Sequence, residues 1–254
     1  MWDNHRTLHI LANGLCTLAA LIAVFVISPS VINLPIFTLN EVSVGGINNT
    51  NGEFKHVKRE QINSIINSEV AGSFFTVDLD KISNAFEKLP WVRTASVRRY
   101  WPQSLEVVLE EHVALARRDN LTLVNIHGEV FNAVTDKWLP AFTGPVENSH
   151  EVARQYVVFR KLLKPLQQII IQVDFSPRRA WRIHTKNGIV LELGREQVEA
   201  RLELYVSAHG HIISQFKQPV TYVDLRYQNG FSVRTLEANR RHSHNPSLKK
   251  VVWY

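Results

Sequence analysis

The chain carries one cysteine and one methionine in 254 residues. The cysteine, Cys16, lies within the longest apolar run. No disulfide can therefore staple the rest, whose stability must come from packed cores. A thiol in such apolar surroundings keeps its proton, so Cys16 is a poor nucleophile. Catalytic signatures are missing as well. There is no Gly-rich phosphate loop, no Gly-x-Ser-x-Gly elbow and no His-Glu-x-x-His pair. Glu110 and Glu111 are neighbours on an expected strand, so their side chains leave opposite faces and cannot share a substrate. His209 and His211 fall about 200° apart on an expected helix and cannot chelate one ion from it. His242 and His244 lie in a polar tail with no obvious third ligand. The chain therefore reads as a non-enzyme, with no cofactor, metal or small-molecule substrate expected.

Charge excludes less. The formal net charge is +6, a balance that can suit nucleic acid. The basic residues are scattered, however, apart from Arg240-Arg241 and Lys249-Lys250. Neither zinc-finger spacing nor an RNA-binding aromatic signature occurs. A mildly basic surface of this kind suits anionic headgroups or acidic partners. Two Asn-x-Thr sequons, at Asn48 and Asn120, are short enough to arise by chance.

Long apolar runs are also scarce. Only Leu8 to Ile27 qualifies, with no charged residue over about 20 positions, enough to cross a hydrocarbon core at about 1.5 Å per residue. His9, Asn13 and Thr17 weaken it. Arg6 precedes the run and the next Lys or Arg is Lys55. Residues 1–6 are therefore expected as a cytoplasmic stub and 7–28 as a transmembrane helix that exports the remainder. Ser28-Pro29-Ser30 is a poor small-x-small cleavage site, which favours an uncleaved anchor over a secretory signal.

After the run, the pattern is strand, helix, helix, strand, strand. Phe37 to Val44 alternates around Phe37, Leu39, Val42 and Val44 and meets Gly45-Gly46, with one slip in register near Glu41. Val57 to Val70 places Ile62, Ile65 and Ile66 on one side. Asp78 can cap a helix carrying Ile82, Ala85, Phe86 and Leu89. Pro90 ends it. Val92 to Tyr100, the turn Trp101-Pro102-Gln103-Ser104, and the alternation of Leu105, Val107 and Leu109 with polar neighbours form a hairpin. By even spacing, Trp91 and Trp101 should share a face, as core packing and a strand-end lid.

From residue 113 the pattern changes. Strands are expected at 121–126, 130–131, 169–175, 181–185, 189–193, 221–227 and 231–234, with Asn187-Gly188 a tight turn. Helices are expected at 152–163, stopped by Pro165, and at 195–216. The whole is α+β, the second part being an antiparallel β domain with packed helices. Residues 236–254, rich in Asn, His, Arg, Ser and Lys, read as a flexible tail. Its apolar end, Val251-Val252-Trp253-Tyr254, reads as a chance cluster rather than a docking peptide.

The stretch Leu89-Pro90-Trp91-Val92, then Ala95, Val97, Arg98, Trp101-Pro102, Leu105 and Glu111-His112, resembles the POTRA domain of the FtsQ/DivIB cell-division family. Gly128-Glu129-Val130-Phe131, Glu192-Leu193-Gly194-Arg195 and Tyr222-Val223-Asp224-Leu225-Arg226-Tyr227 follow in family order. The resemblance covers nearly the whole chain, to about Arg234. It implies a POTRA domain at 37–112 and a β domain at 113–235. It also implies a scaffold of the division septum, single-pass in the inner membrane with its bulk in the periplasm, linking early and late division proteins. Implied partners are FtsB and FtsL, with FtsK a further candidate. By position, Arg226, Tyr227, Asn229 and Gly230 would form the FtsB platform, as an exposed edge at the last long strand. Arg195 would pair with an acidic partner residue. One departure is that Phe231 directly follows Gly230, while Thr235 stands where many relatives carry an aromatic. The alternative is a POTRA-bearing transport or chaperone component that receives extended outer-membrane precursors, which usually carries repeated POTRA units or a barrel.

Overall fold

The computed structural model describes residues 5–32, 38–47, 54–211, 216, 218–227, 230–236 and 248–252. It divides into two units, Met1–Glu111 and His112–Tyr254. The first begins with α1 (His5–Ile32), a helix of 28 residues over the apolar run. Where described, Leu15, Leu18, Leu21, Ile22 and Phe25 are exposed on it. Among the described residues no helix is long and apolar enough to cross a membrane. Residues 7–28, expected as a transmembrane helix, lie within α1 and are helical, but among the described residues α1 does not reach the length and apolarity of a membrane span.

The rest of the first unit packs two helices on a small sheet. The strands are β1 (Glu41–Gly46), β2 (Val92–Tyr100) and β3 (Ser104–Glu111); the helices are α2 (Arg59–Glu69) and α3 (Leu79–Glu87). Strand order is β1-β3-β2, with β1 parallel and β2 antiparallel to β3. The start of α3 follows from Asp78, whose side chain accepts a hydrogen bond from the Lys81 amide at 3.0 Å. Ile82 and Phe86, four apart, are fully buried with Leu105 and Val107 of β3. Glu111 closes the unit: its carboxylate accepts from the amides of Lys55, His56 and Val57 at 2.9, 2.8 and 2.9 Å. Trp91 precedes β2 and stacks on His56 at 3.7 Å, whereas Trp101 stands in the turn, 78 % exposed. The two tryptophans therefore do not form the expected pair, because the turn carries Trp101 away from the strand's alternation.

The second unit is built on a sheet of β4 (Ala114–Arg117), β5 (Thr122–Asn125), β6 (Val130–Asn132), β7 (Ala141–Thr143), β8 (Ile170–Phe175), β9 (Trp181–Thr185), β10 (Val190–Gly194), β11 (Val220–Asp224), β12 (Gly230–Thr235) and β13 (Leu248–Val252). Its order is β13-β12-β11-β10-β9-β8-β7-β4-β5-β6. Helix α4 (Ser149–Leu163) connects β7 to β8, and α5 (Val198–His209) connects β10 to β11. Both pairs are parallel, as is β4 with β7. The sheet is mixed, which corrects the antiparallel expectation. A helix inserted between neighbouring strands returns the chain in the same direction, and periodicity does not reveal which strands pair. Phe159 and Leu163 of α4 and Leu202 and Tyr205 of α5 bury against Val173, Ile183, Leu191 and Val223 of the sheet.

Two further expectations change. Helix α5 starts at Val198, not 195, after Gln197 in a left-handed conformation (φ 50°). Residues 248–252, placed in an unstructured tail by composition, form β13, antiparallel to β12 from Gly230↔Val252 to Arg234↔Leu248.

Candidate partner-binding surface

The ends of β10 and β11 approach each other because the two strands are parallel and register Glu192 against Asp224. The amide of Leu225 donates to the Glu192 carbonyl at 2.8 Å, which extends the pairing past β11. Beyond this point β10 turns at Gly194 (φ 76°). A Cβ there would lie 2.9 Å from Arg201 Nη1 and 3.1 Å from Arg226 Cγ, so glycine meets a backbone demand and a space demand at once. Arg201, in the first turn of α5, donates to the Leu193 carbonyl at 2.7 Å.

Arg226 grips Asp224 with two parallel bonds, Nε to Oδ1 at 2.9 Å and Nη2 to Oδ2 at 2.7 Å. The fork geometry is the strong form of an arginine–carboxylate contact. Burial alone would raise the Asp224 carboxyl; the hydrogen bonds from Arg226 outweigh it and hold the group below its ordinary value. The same bonds push the Arg226 guanidinium further above its already high range. Next to this pair, Arg182 Nε donates to Glu192 Oε2 at 2.7 Å and is raised by that bond.

These elements frame an open cleft of about 460 Å³ whose lining includes Arg178, Arg195, Arg201 and Arg226, with Glu196 as the acidic member. Arg178 arrives on the β8–β9 turn. Arg195 is exposed and has no hydrogen-bond or ion-pair partner among the described residues. Four guanidiniums around one concavity favour an acidic ligand. Among the described residues no group of three His, Cys, Asp or Glu could hold a metal ion.

Of the residues singled out from sequence, Arg195 and Arg226 share this cleft. Tyr227 lies three residues past the end of β11, 45 % exposed. Asn229 lies outside the described residues. Gly230 opens β12, buried and in register with Val252. The expected open edge at 221–227 is not found: β11 lies between β10 and β12, and β12 is itself covered by β13. The short strand expected at 231–234 and part of the expected tail, as β12 and β13, close that edge. Sequence reasoning missed Arg178 and Arg201, which join the cleft only through sheet pairing and the start of α5. No local signal marks either.

Comparison with known proteins supplies the family. The model for "POTRA domain, FtsQ-type" matches residues 37–112, and that for "Cell division protein FtsQ/DivIB, C-terminal" matches residues 114–226. The chain belongs to the FtsQ/DivIB cell-division family. It is similar to the cell division protein FtsQ of Nitrosospira multiformis, 49 % identical over 92 % of this chain and 99 % of the relative. The FtsQ of Burkholderia pseudomallei is 36 % identical over 92 % and 94 %, and that of Bordetella pertussis 33 % identical over 97 % and 98 %. The FtsQ-type POTRA match falls on the strand-helix-helix-hairpin unit, and the C-terminal match ends at Arg226, in the arginine cleft.

Proposed function

We propose that this member of the FtsQ/DivIB family is a non-enzymatic scaffold of the division machinery. It is anchored in the inner membrane by α1, holds both units in the periplasm, and binds FtsB and, through it, FtsL. FtsK remains a candidate for further contact, and the scaffold would link early to late septation proteins. The arginine cleft carries this reading, because an acidic partner segment fits a concavity lined by Arg178, Arg195, Arg201 and Arg226. The exposed Leu15, Leu18, Leu21, Ile22 and Phe25 support the anchor, since a helix bearing so many apolar side chains is costly in water. The transport reading has less support, as one POTRA match is found where such components usually carry several.

The test is a pull-down of the full chain in nanodiscs against the periplasmic segments of FtsB and FtsL. Tyr227→Ala should weaken FtsB binding by about 2 kcal/mol or more, as for an aromatic hot spot, with thermal unfolding unchanged. Arg195→Glu should lose more affinity at low salt than at high salt. Arg195 is the better probe of charge, because Arg226 is already engaged with Asp224. Full-strength binding by both variants would move the platform away from this cleft.

A further inference from the structure

Three exposed aromatic side chains stand at one end of the first unit: Phe75 at 50 %, Tyr100 at 69 % and Trp101 at 78 % exposure. The hairpin places Tyr100 and Trp101 side by side at its tip. The segment bearing Phe75 is held at the same end by Arg99, which leaves the face of β2 opposite Tyr100 and whose guanidinium donates to the Phe74 carbonyl at 2.7 Å and the Val77 carbonyl at 2.8 Å. Large apolar side chains in water need a reason, and three at one end of a unit need one more than a scattered set would.

The chain leaving α1 enters the unit at this same end. Thr38 bridges Ser73, two residues before Phe75. The Asn40 amide donates to the Gln103 carbonyl at 3.0 Å, and Asn40 Nδ2 donates to Gln103 Oε1 at 2.6 Å, two residues after Trp101. From Ile32 to Thr38 is six residues, so the entry point lies within about 22 Å of the end of α1 whatever path the chain takes. Arg98, exposed and two residues before Tyr100, leaves the same face of β2.

We infer that the tip formed by Phe75, Tyr100 and Trp101 seats in the headgroup region of the bilayer that holds α1. Tryptophan and tyrosine favour that layer because their rings are apolar and their N–H and O–H groups reach water. Arg98 faces anionic headgroups there. The tether keeps the tip at the surface, so docking need not overcome the entropy of bringing a free domain to the membrane. The inference rests on the anchor reading of α1.

The experiment uses the full chain reconstituted in vesicles of phosphatidylethanolamine and phosphatidylglycerol, with nitroxide on the acyl chain close to the headgroup. Flotation reports the anchor; lipid quenching of tryptophan reports the tip. Trp101→Phe should remove a quenchable component, which identifies the Trp101 signal. In Phe75→Ser/Tyr100→Ser, the Trp101 component should lose quenching at least about two-fold, since two of three interfacial anchors are gone. A chain that floats while Trp101 escapes lipid quenching and stays open to aqueous acrylamide overturns the docking, leaves the anchor standing and gives the patch to a protein partner. Trp101 quenching unmoved by the double substitution overturns the role of the cluster. A chain that does not float overturns the anchor and the docking together.

Discussion

Single residues decide two features that the motifs only hint at. Glu111 and His112 stand together in sequence as a family mark, yet each serves its own unit. Glu111 collects the amides of residues 55–57, while His112 stacks on Phe131 at 4.0 Å and meets Asn125 Nδ2 at 2.9 Å. Three amides on one carboxylate make Glu111→Ala expensive, by about 2–3 kcal/mol for lost charge-assisted bonds. Chemical denaturation of the full chain checks this through the transition of the first unit. Asp224 makes a pH prediction. Its carboxyl is held below the ordinary 3.8, so the stability it contributes is complete above that value and is lost as the pH falls through its lower folded value. Asp224→Asn should therefore lower the melting temperature at about pH 7 and do so by less at about pH 3, below the ordinary 3.8, where the unfolded carboxyl is largely protonated and the pair adds less to stability. An equal loss at both values would mean that the carboxylate is not what Arg226 needs.

At the scale of elements, β13 matters most for how the surface is used. An edge strand offers unpaired N–H and C=O groups to any extended segment, and here β13 takes that place on β12 over Gly230 to Arg234. Removing 237–254 should uncover it. Hydrogen exchange should then speed up at the β12 amides that pair with β13, and a synthetic peptide of residues 245–254 should bind the truncated chain and not the full one. Unchanged exchange would show that β12 does not depend on this strand. The helices α4 and α5 illustrate the converse point. Val152, Tyr156, Phe159 and Leu163 mark α4 by spacing alone, and that helix forms. Spacing is silent on α5 joining parallel rather than antiparallel neighbours, because the apolar face it presents would serve either connection.

At the scale of the molecule, orientation is the open consequence. Arg6 before the apolar run, and no basic residue after it until Lys55, favour export of everything beyond α1. A reporter fused after Tyr254 should be active only when its domain folds outside the cytoplasm. Cytoplasmic activity would reverse the proposed placement of both units and overturn the periplasmic partner proposed for the cleft.

Local rules alone settle a good deal of this protein. The Asp78 cap, the Ile82–Phe86 face, the break at Pro90 and the hairpin from Val92 to Glu111 depend on spacing and backbone preference over a few residues, and each forms where its pattern stands. Position in family motifs nominates Arg195, Arg226 and Tyr227 as partner residues, and that role is a proposal. Their company was not legible in that way. Arg178 and Arg201 reach the cleft because β8–β9, β10 and the start of α5 meet through long-range pairing, and Gly194 leaves room for the Arg201 guanidinium and the aliphatic stem of Arg226. The burial of β11 between two strands, and the recruitment of Leu248–Val252 from a polar tail as β13, were likewise decided in three dimensions. Backbone hydrogen bonding across a sheet depends on which edges are left open, and a strand's own sequence does not record its neighbour.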